Sequence, residues 1–379
     1  MDNYDVVIVG AGPAGSYLAY KLKNQGIKVL ILEKMKFPRY KSCAGGLSKK
    51  AYNLLYKENK NIKKVIEKST NKGLYIRNGK FSKIKPGKEL ILMTYRSDLD
   101  NFLIKIAVDN KTIFFKDNIN ITSINTKINC VNYIENKKEK IVNYKILVGA
   151  WGGNIRFNKI VDIYPFKHFN LSSSWEGPSS LKFKKYSEEY VLTQIFKNYP
   201  GFVCYIFPKS KLITAGIFTS KYPFQNVRKD LWNNFMDFWN LDKSIKPKYA
   251  IIPIRDIKKP IAKENILLVG DAAGLADAFT GEGIYYAIIS SRIAAKQIIY
   301  FFNNKKYNIS SNYQKNIDSE ISDILRWAGY YRFIFNLFPN FSFWFGVETR
   351  VGNEIINSFI TGEIKYNELS KILKCFFKK

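Results

Sequence analysis

The stretch YDVVIVGAGPAGSYLAYKLKNQGIKVLILEK, residues 4 to 34, decides the fold. A short run of β-branched residues ends at Gly10, and a helical pattern follows that closes at Gly26. A second apolar run then ends at Glu33, and continuous apolar runs of this kind are typical of strands buried in a parallel sheet. The chain is therefore predicted to begin with a β-α-β unit.

The turn between the first strand and the helix has the spacing GxGxxG. Gly10 allows a tight turn, Gly12 lets the backbone approach a pyrophosphate, and Gly15 allows close packing of helix against strand. The helix N-terminus favours the charge of a phosphate, and Glu33 suits the hydroxyls of a ribose. This context predicts a dinucleotide site, although the glycines alone are also consistent with an ordinary turn.

A second half of the pattern lies about 260 residues further on, in ILLVGDAAG (266–274) and TGEGI (280–284). Asp271 follows a buried strand, where a carboxylate suits the ribityl hydroxyls of a flavin. Gly283 and Ile284 open a long helix whose N-terminus can face the electron-rich edge of the isoalloxazine ring. The two half-sites together predict FAD rather than NAD, while this second stretch alone is also consistent with a helix cap.

The organisation of the chain predicts an α/β fold (α+β overall). It comprises a Rossmann-like FAD-binding domain with a parallel sheet, an inserted antiparallel β-sheet substrate domain, and C-terminal helices broken at Pro339. The expected boundaries are 1–70, 95–158 and 256–302 for the FAD-binding domain, 71–94 and 159–255 for the substrate domain, and 303–379 for the C-terminal helical region.

The net charge of +30, from 61 Lys and Arg against 31 Asp and Glu, suggests either an anionic partner or a general bias of composition. The basic residues are spread along the chain and accompany no nucleic-acid-binding motif, so a nucleic-acid-binding role is the weaker alternative. Four cysteines without a CxxC predict neither a metal site nor a disulfide framework, and they fit a cytoplasmic protein.

No uninterrupted apolar stretch reaches the length of a membrane-spanning helix, and no signal-peptide pattern opens the chain. The segment WAGYYRFIFNLFPNFSFWFGV (327–347) is rich in aromatic residues, with Arg332 as its only charged residue. Aromatic and basic residues suit the headgroup region of a bilayer, so the segment predicts a peripheral membrane contact.

Six motifs are spread along the chain: GAGPAG (10–15), PRYKSCAGGLS (38–48), YRSDLDNFL (95–103), GDAAG (270–274), FTGEGIYYAI (279–288) and FITGEIKYNEL (359–369). Together they resemble the geranylgeranyl reductase family, including the archaeal digeranylgeranylglycerophospholipid reductases, within the p-hydroxybenzoate hydroxylase-like flavoprotein fold. The resemblance covers essentially the whole chain and implies an FAD enzyme that saturates isolated double bonds of polyprenyl chains.

The resemblance also implies which residues contact FAD. Arg96 is a sensible partner on physical grounds because a guanidinium offers planar, paired donors, and its alternative is a surface ion pair with Asp98 or Asp100. The contacts carried over from the family fall on Ala14, Glu33, Cys43, Ala44, Gly46, Arg96, Asp271, Gly283 and Ile284.

Three departures from the family pattern leave the substrate open. Trp151 stands where the fold usually has an aspartate after the strand that returns to the sheet. The family's Tyr-x-Trp-x-Phe-Pro motif reads Val-Cys-Tyr-Ile-Phe-Pro at 203–208, and Ala278 replaces a proline before the Gly-Glu-Gly turn.

Reduction of an isolated alkene needs a hydride on one carbon and a proton on the other, in a dry pocket. A thiol is mostly protonated at neutral pH and can donate that proton, so Cys43 is a candidate proton donor. Cysteine is also a frequent packing residue, so Cys43 is equally consistent with simple contact to the flavin. His168, Cys130, Cys204 and Cys375 are expected to have no chemical role.

The substrate is expected to be a polyprenyl lipid or a prenyl diphosphate held in an apolar tunnel. The electron donor that reduces FAD is left open among NAD(P)H, ferredoxin and another carrier, because no second GxGxxG is present. A monooxygenase or a halogenase of the same fold is the alternative, although the Trp-x-Trp-x-Ile-Pro stretch of halogenases is absent. The tunnel is predicted to include Trp175, Tyr205, Phe207 and Trp327.

Overall fold

The computed structural model describes residues 2–77, 79–84, 91–109, 111–187, 189–199, 201–219, 225–304 and 306–368. Its strands are β1 (Asp2–Val9), β2 (Val29–Leu32), β3 (Gly46–Ser48), β4 (Lys68–Thr70), β5 (Gly73–Arg77), β6 (Lys80–Ile84), β7 (Ile91–Met93), β8 (Ile113–Lys116), β9 (Asn120–Asn125), β10 (Cys130–Glu135), β11 (Lys138–Gly149), β12 (Phe166–Gly177), β13 (Val191–Ile195), β14 (Phe202–Pro208), β15 (Ile213–Thr219), β16 (Lys248–Arg255), β17 (Ala262–Lys263) and β18 (Ile266–Leu268). Its helices are α1 (Pro13–Leu22), α2 (Lys49–Glu58), α3 (Arg96–Ala107), α4 (Ile155–Ile160), α5 (Leu181–Ser187), α6 (Gln225–Phe238), α7 (Ile284–Asn303), α8 (Ile309–Ile317), α9 (Asp323–Leu337), α10 (Pro339–Phe343) and α11 (Arg350–Thr361).

The first sheet carries the predicted β-α-β unit. Its main path runs β17-β18-β11-β1-β2-β8, in which β18, β11, β1, β2 and β8 are parallel. Both faces of β1 and β2 are buried, which explains their continuous apolar runs. The predicted strands between 110 and 150 form β8 and an antiparallel ribbon, β9-β10-β11, that leads back into the sheet. The predicted fold class is confirmed.

The second sheet has the order β16-β12-β15-β14-β13-β5-β6. Its neighbours are antiparallel, as predicted, except for β5 and β13, which run parallel. The sequence reading also missed α5 and α6, which contribute Phe183 and Phe235 to the core of this part of the molecule. Amphipathic helices of this kind cover one face of an antiparallel sheet and leave the other available for a ligand.

A small third sheet, β3-β7-β4, lies directly after the loop that contains Cys43. Its strand β7 falls within 71–94, which the sequence analysis grouped with the substrate domain. In the structure β5 and β6 from this stretch enter the second sheet, whereas β7 pairs with β3. This pairing gives the Cys43 loop a rigid end.

The C-terminal helices pack around a separate apolar cluster that includes Ala328, Ile355 and Phe359. A π-helical turn (Asp318–Ser322) joins α8 to α9, and α9 ends at Leu337, shortly before Pro339. Proline cannot donate a helical hydrogen bond from its own nitrogen and therefore breaks the helix, as predicted, and begins α10. Within the described residues, no helix combines the length and the apolar character that crossing a membrane requires.

Candidate cofactor and substrate site

One cavity of about 1440 Å³ reaches from the first sheet to the C-terminal helices. It exceeds the volume of roughly 300–1,000 Å³ that is common for drug-sized ligands. Gly15 does not line the cavity, because this residue of α1 packs against Ile8 of β1 and the backbone of Gly10. The predicted site residues that line the cavity are Gly10, Gly12, Ala14, Glu33, Cys43, Ala44, Gly46, Arg96, Tyr205, Phe207, Asp271, Gly283 and Ile284.

The turn before α1 leaves room for a ligand at only one of its three glycines. A Cβ atom on Gly10 would lie 2.4 Å from the carbonyl oxygen of Ala150, and one on Gly15 would lie 1.9 Å from that of Gly10. A Cβ atom on Gly12 would meet only Arg39, at 3.7 Å. No side chain caps the N-terminus of α1, so its free N–H groups are available to a phosphate.

Glu33 has the position expected of a ribose-binding carboxylate. It accepts hydrogen bonds from the backbone N–H groups of Ala11 at 2.8 Å and Met35 at 3.0 Å. These bonds connect the end of β2 to the glycine turn, and the carboxylate lines the cavity.

Arg39 is a site residue that the sequence analysis missed. Its Nη1 lies 3.1 Å from a carboxylate oxygen of Asp100, and its Nε lies 3.5 Å from one of Glu33. Both nitrogens are buried without a hydrogen-bond partner of good geometry, and the side chain lines the cavity. Buried donors of this kind need an acceptor, and the phosphate and ribose oxygens of FAD would supply one.

Arg96 and Asp100 form a buried ion pair on the first turns of α3. The guanidinium donates from Nε and Nη2 to the two carboxylate oxygens, both at 2.9 Å. Burial alone would lower the pKa of Arg96, but Asp100 and Cys43 attract its charge more strongly and raise it. The ion pair considered as the alternative therefore exists, but it is buried in the cavity wall, and Arg96 is available to a ligand as well.

The second predicted half-site faces the same cavity from the start of α7. Gly283 precedes this helix without a side-chain cap, and a Cβ atom on it would lie 3.2 Å from the carboxylate of Asp271. Burial raises the pKa of Asp271, while Lys41 and Arg96 act in the opposite direction. Lys41, a second basic residue that the sequence analysis missed, lines the cavity beside them.

These two half-sites fit FAD. The uncapped N-termini of α1 and α7, the unsatisfied nitrogens of Arg39 and the carboxylates of Glu33 and Asp271 supply donors and acceptors along one wall. Such a set suits a diphosphate, a ribose and a ribityl chain.

The loop that carries Cys43 is held from several sides. The N–H of Gly45 donates to Sγ of Cys43 at 3.4 Å. Gly45 has a φ of +74°, and a Cβ atom on it would lie 2.2 Å from the carbonyl oxygen of Thr94. A Cβ atom on Gly46 would lie 2.5 Å from the ring of Phe207. The Gly-Gly pair therefore lets the loop approach both β7 and the aromatic wall.

Hydroxyl groups tie the same loop to the second sheet. The hydroxyl of Ser174 lies 2.8 Å from those of Tyr40 and Ser42, and Ser42 also donates to the carbonyl oxygen of Lys248 at 3.0 Å. These bonds fix the loop between the two predicted domains.

Two of the four predicted tunnel residues line the cavity. The rings of Tyr205 and Phe207 meet edge to face at 5.7 Å, and the Tyr205 hydroxyl donates to the carbonyl oxygen of Ser173 at 3.0 Å. Trp175 and Trp327 do not line the cavity. Trp175 is 1% exposed and packs in the core of the second sheet, and Trp327 packs at the cluster of C-terminal helices.

The remote part of the cavity is aromatic, and the sequence analysis did not identify its wall residues beyond Tyr205 and Phe207. Side chains from β5, β13, β14 and the C-terminal helices face each other across this part. They include Tyr75, Val191, Phe202, Tyr331, Phe335, Phe343, Phe345 and Phe359.

Trp151 occupies the position of the expected aspartate. Its Nε1 donates to Oδ1 of Asn158 at 2.8 Å, and its ring packs on Phe157 with 5.3 Å between centroids. The ring covers Gly149, where a Cβ atom would lie 2.4 Å away. The cavity wall is thus aromatic at this point.

The remaining cysteines and the histidine have different surroundings. Cys130 and Cys204 are buried free thiols away from the cavity wall, and Cys375 lies outside the described residues. His168 contacts Arg332, which lines the cavity. Among the residues that the structure describes, no cluster of His, Cys, Asp and Glu could hold a metal ion.

Comparison with known proteins identifies relatives at the level of sequence. The family model described as the FAD binding domain matches residues 3–81. An uncharacterized protein of Methanosarcina barkeri is 37% identical over 300 residues, which cover 79% of this chain and 75% of that protein. The digeranylgeranylglycerophospholipid reductase of Methanococcus vannielii is 26% identical over 324 residues, which cover 81% of this chain and 80% of that enzyme.

Solved structures share the fold at lower identity. A geranylgeranyl bacteriochlorophyll reductase-like protein of Thermoplasma acidophilum has a TM-score of 0.75 at 20% identity, covering 88% of this chain and 87% of that one. A flavin-dependent brominase has a TM-score of 0.72 at 18% identity, covering 95% and 94%. One architecture therefore serves flavoproteins with different reactions.

Proposed function

The chain belongs to the geranylgeranyl reductase-like family of FAD-dependent oxidoreductases, and on that premise we propose that it saturates isolated C=C bonds of geranylgeranyl or longer polyprenyl chains. The observation that carries the proposal is the continuity of one cavity, from residues that fit FAD to an aromatic wall with Cys43 between them. A long, flexible hydrocarbon is the ligand that such a wall suits.

In this reaction reduced FAD, when bound, supplies the hydride that one alkene carbon receives. Cys43 supplies the proton: its S–H bond breaks as a C–H bond forms at the other alkene carbon. The thiolate that remains lies beside Arg96, whose pKa is raised partly by Cys43. A solvent proton restores the thiol, and an external electron donor returns the cofactor to its reduced form.

The aromatic wall and the fixed loop have complementary tasks. Phe207 packs against Gly46 and Tyr205 packs against Phe207, so water is kept away from the reacting carbons. The hydrogen bonds of Tyr40 and Ser42 to Ser174 hold the Cys43 loop against the second sheet. The sulfur is thereby positioned rather than free to move, which lowers the entropic cost of proton transfer.

A peripheral contact with a bilayer is part of the proposal. Residues on and after α9 expose large apolar side chains at the break before Pro339. This aromatic rim consists of Tyr330, Phe333, Leu337, Phe338, Phe341 and Trp344, each at least 50% exposed. Clusters of exposed, large apolar side chains are typical of interaction surfaces. Adjacent residues of the same segment line the cavity. A lipid substrate would enter there, and the net charge of +30 favours an anionic membrane.

An anaerobic experiment tests the proposal. The FAD-loaded protein is reduced with dithionite, and geranylgeranyl lipids or geranylgeranyl diphosphate are added while flavin reoxidation and product mass are followed. Reoxidation with a gain of two hydrogens per reduced bond is expected. Reoxidation by oxygen alone, together with a hydroxylated or halogenated product, would instead assign the monooxygenase or halogenase reaction of the shared fold.

A further inference from the structure

Arg332 is a cavity residue with an unusual set of partners. It projects from α9 into the cavity wall, and its Nη1 donates to Nε2 of His168 and to Oδ1 of Asn170, the latter at 3.1 Å. Both partners belong to β12, so the guanidinium connects the C-terminal helices to the second sheet.

Neither partner neutralises the charge of Arg332. Burial, Arg332 and Lys167 lower the pKa of His168 to about 4, so the imidazole is neutral at neutral pH and carries its proton on Nδ1. The amide of Asn170 has no charge. Across the described ranges, no Asp or Glu lies within ion-pair distance of Arg332, whose own pKa is lowered by burial.

Three arginines whose side chains are at most 10% exposed are paired with carboxylates, whereas Arg77, which is partly buried and lines the cavity as Arg332 does, contacts neutral oxygens of Pro339 and Asn340. Arg39 and Arg96 share Asp100, and Arg255 pairs with Asp318 at 2.9 Å. A partly buried guanidinium that faces a cavity without such a partner is able to attract an anion, because desolvation of the cation is otherwise uncompensated.

The side chain of Asn170 has a hydrogen-bond donor without an acceptor. Its side chain is 0% exposed, and its Nδ2 has no hydrogen-bond partner. The orientation of the amide follows from chemistry: Oδ1 must accept from Arg332, so the NH₂ group is the end left without a partner. A buried N–H without an acceptor is rare in proteins, and this one lies beside Arg332, although Asn170 itself is not among the residues that line the cavity.

We propose that Arg332 forms an oxyanion subsite in the cavity wall, which binds the phosphate or diphosphate group of the ligand while His168 and Asn170 hold the guanidinium in place. The inference rests on the proposed function and deepens it, because it assigns an anionic rather than a neutral polar end to the prenyl substrate. Arginine is suited to the task because its planar donors match the oxygens of a phosphoryl group.

A pair of ligands that differ only in the phosphoryl group tests the subsite. Oxidised, FAD-loaded protein is titrated with geranylgeranyl phosphate and with geranylgeraniol, and binding is followed by calorimetry, which needs no turnover. Arg332→Gln is expected to weaken binding of the phosphate at least tenfold while leaving binding of the alcohol unchanged. Arg332→Lys, which retains the charge, is expected to recover part of the loss.

Arg326→Gln is the matched control. Arg326 lies on the same helix, is exposed, and pairs with Asp323, so this variant should bind both ligands as the parent protein does. Equal losses for phosphate and alcohol in Arg332→Gln, or no loss for either, would overturn the subsite.

Two further measurements distinguish a free oxyanion from a lipid headgroup as the ligand, and failure of the subsite from failure of the proposed function. Competition by inorganic diphosphate that disappears in Arg332→Gln would support a subsite that accepts the free oxyanion, and selective loss for the prenyl phosphate alone would support a headgroup subsite. If the parent protein binds neither prenyl ligand, the proposed function fails, and inorganic diphosphate alone decides the subsite. Binding without reduction would leave the subsite intact and overturn only the reductase proposal.

Discussion

The two ends of the cavity differ in whether their buried arginines have carboxylate neighbours. At the cofactor end, Arg39 and Arg96 both contact the carboxylate of Asp100, and Arg39 also lies 3.5 Å from Glu33, so each cation has an anionic neighbour before any ligand binds. At the remote end, Arg332 has only neutral acceptors. The contrast indicates that the cofactor end offers shape, backbone donors and the free nitrogens of Arg39 in a wall whose cations have carboxylate neighbours, whereas the other end retains a cation without one.

Asp100→Ala should produce the largest effect, because it leaves a buried arginine at the cofactor end without a carboxylate partner, as Arg332 is at the remote end. Asp100 is 0% exposed, and its loss leaves Arg96 without its carboxylate and Arg39 with only Glu33, at 3.5 Å. We expect destabilisation of about 3–5 kcal/mol and loss of FAD, measured by urea unfolding and by the flavin spectrum of the purified protein. Asp98→Ala, an exposed change on the same helix, should stay within about 0.5 kcal/mol of the parent protein. A stable, yellow Asp100→Ala variant would show that the balance is unnecessary.

Gly12→Ala tests whether the cofactor end depends on shape. The new methyl group meets only Arg39 in the protein, and the φ of −71° suits alanine, so the fold should be retained. We expect FAD affinity to fall at least about 100-fold, because the methyl group would occupy space that a diphosphate needs. The measurement is a titration of apoprotein with FAD. Gly329→Ala, which also has open space around it, is the control, and unchanged affinity in Gly12→Ala would remove the diphosphate from this turn.

Cys43→Ala separates chemistry from packing at the boundary between the two ends. We expect the rate of alkene reduction to fall about 100-fold, the scale of a lost general acid, with FAD content unchanged. Single-turnover reoxidation with a prenyl substrate measures the rate. Cys204→Ala removes a buried thiol outside the cavity and should retain turnover. Full activity in Cys43→Ala would reduce Cys43 to a packing role.

His168→Gln tests the remote end through the pH dependence of stability. The pKa of His168 is about 4 in the folded chain against an ordinary value near 6.5, so the unfolded chain binds the proton more readily between these values. Stability from this group is therefore present above the unfolded pKa and is lost as pH falls. After allowance for partial exposure, we expect the parent to lose about 1 kcal/mol more than His168→Gln between pH 7 and pH 5. Urea unfolding at both pH values measures this, and identical losses would contradict the assigned burial.

The smallest effect is expected at the aromatic rim. Leu337 is 56% exposed and does not line the cavity, so Leu337→Ser should leave turnover of detergent-dispersed substrate unchanged. Binding to vesicles that contain anionic phospholipid should weaken about fivefold, as expected for loss of roughly 1 kcal/mol of apolar burial. Sedimentation with vesicles measures it. Leu181→Ser, a change at an 85% exposed leucine on α5, is the control, and equal losses in both variants would place the contact elsewhere.

The cofactor end was largely predictable because its information is local. The glycine spacing, Glu33 and Asp271 follow short strands whose order is visible in the chain, so their convergence at one edge of the sheet follows from parallel topology. Arg39 and Lys41 were missed although they lie within a motif that was recognised. A sequence does not say which of several adjacent basic side chains turns inward.

The remote end was less predictable because it is assembled from distant segments. Trp175 and Tyr205 both lie on strands of the second sheet, yet Trp175 faces the core that α5 and α6 complete, whereas Tyr205 faces the cavity. That face could be assigned only once those helices were known. The contact of Arg332 with His168 and Asn170 joins residues more than 160 positions apart, and no local sequence pattern predicts it.

The strand order of the first sheet also has a consequence for synthesis on the ribosome. β1 emerges first and lies between β2 and β11, but β18 and the α7 helix that packs on α1 follow about 260 residues later. At ~5–20 residues per second, the nascent chain carries an incomplete sheet for roughly 13–50 s. During that interval the apolar strands near the N-terminus are substrates for chaperones, and cofactor loading waits for the last third of the chain.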